Sequence, residues 1–432
     1  MMTQSAVEAR DPRQAADETR FCASFARTSG ESLLGKASFV QTYLLIEDPN
    51  AWSGPKDIES TALNPAALDR VTAFKAHCPG PRLLFIKNRT SRERAERSVY
   101  LVMPAPSGAR MRHFVVPDLD AIGEIDFVAE AARLAGDPTA VPEAFPVLIC
   151  TNGKKDMCCA KFGGPTYAAL DALLPDVWEC THTGGDRFAG NVVLPVPGQF
   201  YGFVLADRAE AFAQTIRKRH IPIDHFRGAS FLPAAVQAAE GALRIRLGAS
   251  AMGRIVYAGN LPAPDDAASE PVAERPILLD WDTGEIWTVR ARKIESDRDV
   301  PSNCTKGKTT QPWHMALDGW RCLGAEELQR LGLRLDGDLV DGHPVDRTSV
   351  ALRRGRPTRL VRQARADDWP WLQANPEARR RLERLIGPAP ATTKARGPWL
   401  ERLEAARLPL WETREGARDL VKEPGLAAEL SA

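Results

Sequence analysis

The sequence predicts an α/β protein, and three observations carry that expectation. Short β-branched and aromatic runs recur, each bounded by Pro, Gly, Asp or Asn. A helical pattern separates the first two of them. The same strand–helix–strand order starts again near Phe145. Strand, crossover helix and strand in succession is the pattern of a largely parallel sheet covered by helices.

In order along the chain, the polar first twenty residues lack aromatics and read as a disordered tail. Val40–Ile46 (VQTYLLI), Arg82–Lys87 (RLLFIK) and Val99–Met103 (VYLVM) read as strands. Their nearly continuous apolarity predicts burial on both faces. Asn64–His77 reads as a helix, with Asn64 as N-cap and Pro65 at its first position. These elements define a small α/β domain over residues 21–140.

A second unit, residues 141–310, opens with the strand Phe145–Cys150 (FPVLIC) and a helix over Pro165–Leu174. Strands at Val177–Thr181 and Phe200–Leu205 follow, then helices over Asp207–Arg219, capped by Asp207, and Ser230–Gly248, ended by Gly248. Ile277–Asp280 and Ile286–Ala291, around an Asp-Thr-Gly-Glu turn, read as a hairpin. Residues 311–432 differ in texture, holding six of the ten Trp and nineteen Arg against two Lys. They read as a separate α+β module: a hairpin over Ser349–Gln363 turning at Arg354–Pro357, then amphipathic helices broken at Pro388 and Pro398. No internal repeat is visible.

Composition narrows the function. The 57 basic and 56 acidic residues leave a net charge of +1, which removes the global argument for a nucleic-acid or anionic-membrane partner. The Arg-rich stretch Arg353–Arg362, near Trp369 and Trp371, reads as a solvated face for the same reason. The beginning of the chain has no apolar core of a secretory leader, and no run reaches the ~18–20 apolar residues needed to span a bilayer. A reducing cytoplasm is the expected location, so the eight cysteines are read as thiols or ligands before disulfides.

Their distribution is uneven. Cys150, Cys158, Cys159 and Cys180 fall within 31 residues, and His182 follows two positions later. Cys150 closes one expected strand; Cys180 and His182 close the next. Strand carboxyl ends converge on one edge of an open α/β sheet, where ligands bind. Soft thiolates meeting imidazole at such an edge suit Zn²⁺ or an iron–sulfur cluster. The loop from Cys150 to Cys159 is too long for a zinc-ribbon CxxC. It carries Gly153, Lys154 and Lys155, whose N–H groups and charges can offset an anionic cluster. Adjacent cysteines rarely serve one small cluster, so one of Cys158 and Cys159 is expected to pack. Cys22, Cys78, Cys304 and Cys322, each isolated in sequence, are expected to pack as small hydrophobes. His220 and His225 receive a surface or packing role, and Gly163-Gly164-Pro165 lacks the pattern of a phosphate loop.

CTNGKKDMCCAKFG, followed by HTGGDRFAGN and PGQFYGFV, resembles the sucrase/ferredoxin-like family, a group of thioredoxin-like ferredoxins. YLLIEDPNAW at residues 43–52 and FRGASFLPAAVQAAEGAL at 226–243 extend the resemblance over about residues 21–305. It implies a [2Fe–2S] cluster on a thioredoxin-like ferredoxin domain. In the family pattern, two cysteines with eight residues between them hold one iron and two histidines in HxxxH hold the other. By position, Cys150 and Cys159 match the cysteine pair and His182 the first histidine. Asp186 stands where the second histidine is expected. Either Asp186 supplies a carboxylate oxygen or Cys180 swings in as a third thiolate; iron's preference for thiolate favours Cys180. Arg187 and Asn191 are read as braces of the turn.

The expected function is a soluble redox protein that carries single electrons to or from a partner protein or reductase, with no nucleic-acid or membrane partner. Imidazole in place of thiolate raises a cluster's potential, to ~ −150 to +300 mV with two His against about −400 mV for all-thiolate centres. A ligand set with one His is expected between them. The alternatives are a thiol oxidoreductase on the same scaffold, using Cys158–Cys159 or Cys150, and a structural zinc protein acting as an interaction scaffold.

Overall fold

The computed structural model describes residues 21–54, 58, 61, 63–105, 109–137, 146–261 and 273–331. Of the rest it describes 333–336, 339–340, 343–344, 351–354, 358–363, 383, 388, 396–405, 409–413 and 418–420. The expected N-terminal tail lies outside the described residues, as do Trp369 and Trp371. The chain divides into two compact units, residues 1–252 with 292–316, and 253–291 with 317–432.

The first unit is built in the order α1 (Cys22–Thr28), β1 (Thr42–Glu47), α2 (Pro65–His77), β2 (Pro81–Lys87), β3 (Arg97–Met103), β4 (Arg110–Val116) and α3 (Phe127–Gly136). It continues with β5 (Val147–Cys150), α4 (Met157–Asp171), β6 (Val177–Cys180), β7 (Val192–Leu194), β8 (Gln199–Tyr201), α5 (Ala209–Arg217), β9 (Phe226–Ala229) and α6 (Ala234–Leu247). All nine strands form one sheet, ordered β4-β3-β1-β2-β6-β5-β7-β8-β9. β5 runs parallel to β6, β7 antiparallel to β5, and β8 antiparallel to β7. This is a thioredoxin-like topology. Strands β1 to β4 repeat it, with β1 parallel to β2 and antiparallel to β3, and β3 antiparallel to β4. The two sets meet where β2 pairs antiparallel with β6, so the sheet runs across the boundary expected near residue 140.

Burial on both faces explains the continuous apolar runs. Tyr43 and Leu45 of β1 enter one apolar layer, with Leu148, Trp178 and Cys150, while Leu44 and Ile46 enter another beneath α2 and α3. Val147 and Ile149 pack against Tyr167 and Leu170 of α4. The expected N-cap is present: Asn64 accepts from Ala67 N at 2.8 Å. Gly248 ends α6 with φ +62°, the left-handed conformation that favours glycine. Helix α5 has no side-chain cap from Asp207 and starts after a 3₁₀ turn.

Helix α4 departs most from expectation. It begins at Met157, eight residues before Pro165, so Cys158 and Cys159 lie in its first turn rather than in a loop. Asp156 caps it, accepting from Cys158 N at 2.8 Å. A cap that satisfies early N–H groups offsets the one backbone bond lost to an internal proline.

In the second unit, β10 (Ile255–Asn260), β11 (Pro276–Asp280), β12 (Ile286–Glu295) and β15 (Trp313–Leu323) form a four-stranded sheet. β11 and β12 pair antiparallel, as the Asp-Thr-Gly-Glu turn suggests. The hairpin expected over Ser349–Gln363 does not form as one. Ala351–Arg354 pairs with Leu333–Asp336, and Thr358–Gln363 pairs with Pro409–Thr413. Alternation marks a strand but does not name its partner when the turn lacks a two-residue hairpin signal. Pro398 lies in the first turn of a helix, Arg396–Ala405, where proline is tolerated, instead of breaking it. The first unit also holds a short antiparallel hairpin, β13 (Val300–Asn303) with β14 (Lys308–Thr310).

Candidate metal centre

Cys150 ends β5 and pairs in register with Cys180 at the end of β6. Successive residues of a helix diverge by about 100°, so Cys158 and Cys159 face different surroundings. Cys159 turns toward Cys150. The turn after β6 brings His182 back over both, and the donor atoms of Cys150, Cys159 and His182 all lie within 4.8 Å of one another. Asp186 stands at the edge of this group: its Oδ1 is 3.0 Å from His182 Nδ1 and 3.7 Å from Cys159 Sγ. Cys180 is fully buried in the apolar layer with Trp178 and is not part of the converging group.

The turn needs its glycines. Gly184 and Gly185 have φ +97° and +82°, and a Cβ at Gly184 would meet Ser38 Oγ at 2.5 Å. Ser38 Oγ also donates to Thr183 O at 3.0 Å. Asn191 donates to Gly185 O at 2.8 Å, the bracing role expected of it. Arg187 does not pair with Asp186; it binds Glu31, which also faces Lys36 at 3.8 Å. At Gly163 a Cβ would run into the carbonyl oxygen of Cys150, so this glycine lets α4 lie directly on the end of β5.

Electrostatics split the two thiols. The hydrogen bond from Cys159, then the hydrogen bond and charge of His182 and the Thr183 N–H, hold Cys150 well below the ordinary thiol range despite burial. Cys159 moves well up, because it donates to Cys150 and is buried. Burial works against protonated His182, but the hydrogen bond to Cys150 and the charges of Cys150 and Asp186 carry it above its ordinary value. Burial raises the Asp186 carboxyl, opposed by His182 and by Asn303, whose Nδ2 donates to Asp186 Oδ2 at 2.9 Å.

A metal is tested against this arrangement by one atom. His182 Nδ1 is buried and makes no hydrogen bond: Asp186 is at ion-pair distance, but the ring does not align with it. A buried ring nitrogen in that state, beside two thiols and a carboxylate, fits a metal ligand. Of the expected site residues, Cys150, Cys159, His182 and Asp186 are brought together.

Arg227 of β9 was not among the expected site residues. Its side chain is 1% exposed and donates to Gly184 O at 3.1 Å, Asn191 Oδ1 at 2.8 Å and the Lys36 carbonyl. Burial pushes it down to about 9, with Asp186 and Cys150 opposing, so it is a cation at neutral pH. Its sequence signal is a lone arginine in an otherwise apolar strand, Phe-Arg-Gly-Ala. Of the two loop lysines, Lys155 bears on His182, and Lys154 points to solvent. His220 and His225 hydrogen-bond Ser250 Oγ and Gly202 O, as packing residues do.

On a thioredoxin-like topology, the buried thiols of Cys150 and Cys159 and the largely buried His182 and Asp186 form a donor group capable of coordinating a metal ion. Residues 33–228 match the family model described as sucrase/ferredoxin-like, and the C-terminal region is unmatched. The resemblance read from the motifs therefore holds for a shorter span than residues 21–305. No curated protein and no solved structure matches the chain. Among the described residues, no helix is long and apolar enough to cross a membrane.

Proposed function

We propose that the chain is a redox protein that holds a [2Fe–2S] cluster at the Cys150 centre and exchanges single electrons with a partner protein. The observation that carries this reading is the arrangement of donors in two touching pairs, Cys150 with Cys159 and His182 with Asp186. A binuclear cluster takes two protein ligands per iron, and the family match lies over these residues. Asp186 is the fourth ligand in this proposal, since it touches both His182 and Cys159 while Cys180 lies in the apolar layer.

When bound, the cluster supplies a one-electron couple. The chain's own residues do the rest. Arg227 offsets negative charge at Cys150, Asn303 orients the Asp186 carboxylate, and the apolar layer keeps water from the Cys150 side. A thiol oxidoreductase is favoured by the split acidity of Cys150 and Cys159. It is opposed by their burial, 1% and 0% exposed, because exchange needs an accessible sulfur.

Iron and acid-labile sulfide in anaerobically purified protein test the proposal. Equal amounts of both are expected in the unaltered chain and in Cys180→Ala, with loss in Cys150→Ala, Cys159→Ala and Asp186→Ala. Zinc bound through Cys150 and Cys159, with no sulfide, would establish a mononuclear centre instead.

A further inference from the structure

We propose that Cys22, Cys158 and Cys304, with Asp156, form a second metal site that takes a single zinc ion. The four residues come from three separate segments: Cys22 from α1, Asp156 and Cys158 from the start of α4, and Cys304 from the β13–β14 hairpin. Their donor atoms all lie within 4.8 Å of one another, and Cys158 Sγ is 3.4 Å from both Cys22 Sγ and Cys304 Sγ. Tetrahedral zinc with Zn–S bonds of ~2.3 Å sets its sulfurs about 3.8 Å apart, so an ion enters with a small expansion.

The carboxylate decides between a metal and plain packing. Asp156 is fully buried, and no ion pair to it occurs among the described residues. Its Oδ1 accepts from Cys158 N at 2.8 Å and its Oδ2 from Cys304 N at 2.7 Å. Those bonds aim the carboxylate and leave each oxygen a lone pair. A buried carboxylate against three thiols is poorly accommodated as an apolar cluster and well accommodated as a ligand set. A disulfide would join two of the sulfurs and leave the third thiol and the carboxylate without a role.

The donor set selects the ion. Three thiolates and one carboxylate oxygen complete a tetrahedron with no open position, which is the form of structural zinc. Cys22 N donates to Cys304 Sγ at 2.9 Å, the kind of N–H···S bond that spreads thiolate charge. Phe21, Phe162 and Ala189 sheathe the group. Loading releases the thiol protons to solvent, and no electron moves. Cys158 adjoins Cys159, and Asn303, which adjoins Cys304, holds Asp186, so the zinc would brace the Cys150 centre from two sides.

The test uses the full chain carrying Cys150→Ala and Cys159→Ala, which empties the first centre, purified from zinc-supplemented cells. One zinc per chain is expected, with three sulfur neighbours and one oxygen by zinc-edge X-ray absorption. The unaltered chain should give the same zinc-edge spectrum, which covers a double variant that fails to fold. Adding Cys22→Ser or Cys304→Ser should remove the zinc, and adding Cys78→Ser should not. Absence of zinc, a shell without sulfur, retention in the Cys22 and Cys304 variants, or two oxidised thiols on denaturing thiol titration would each overturn the proposal.

Discussion

Arg227 and the Cys150 thiolate illustrate what single residues contribute. The guanidinium is buried, and its hydrogen bonds go to Gly184 O in the turn that carries His182, to Asn191 and to the Lys36 carbonyl. Arg227→Met would leave those acceptors unpaired, at a cost on the order of 3 kcal/mol for buried groups. A lower urea midpoint is the expected result; an unchanged midpoint would mean that the cation does not hold the turn. In a cluster-loaded protein the same substitution should lower the reduction potential, because it removes positive charge beside the centre. Cys150 and His182 were legible in sequence, since they fall close together at strand ends, and Cys159 through its place in the family's cysteine pattern. Cys22 and Cys304 were not, being 136 and 146 residues from Cys158, a separation at which spacing carries no information. Arg227 was hidden for the same reason: its partners lie in other segments.

Helix α4 is the element on which both cysteine groups depend. Its Cys159 side meets Cys150, and its Cys158 side meets Cys22 and Cys304. Gly163 permits the close approach of the helix to β5. Gly163→Ala should therefore displace α4 and lower stability by about 3 kcal/mol, as overpacking against backbone does. Thermal melting of the metal-free protein checks this, and a cost below about 0.5 kcal/mol, typical of a surface site, would contradict the packing account. Strands were the most legible elements, because burial on both faces imposes continuous apolarity. The start of α4 was not, because Pro165 imitates a helix N-terminus while the Asp156 cap is the one that acts.

Over the first unit, two thioredoxin-like strand sets share one nine-stranded sheet. The pairing of β2 with β6 that joins them spans distant segments, Ile86 with Cys180 and Lys87 with Glu179. Such an arrangement leaves no local trace, so the sequence reads as two consecutive α/β stretches with no visible repeat. Among the described residues, only the second set carries cysteines at the ends of its parallel strands. A [2Fe–2S] cluster held by this set through Cys150, Cys159, His182 and Asp186 is the function proposed for the chain. It is tested most directly by electron paramagnetic resonance of the anaerobically purified protein before and after reduction. A silent oxidised state and a rhombic one-electron signal on reduction are expected, with the signal lost in Asp186→Ala and kept with the same g-values in Cys180→Ala. A protein that stays silent after reduction, with iron absent, would contradict it.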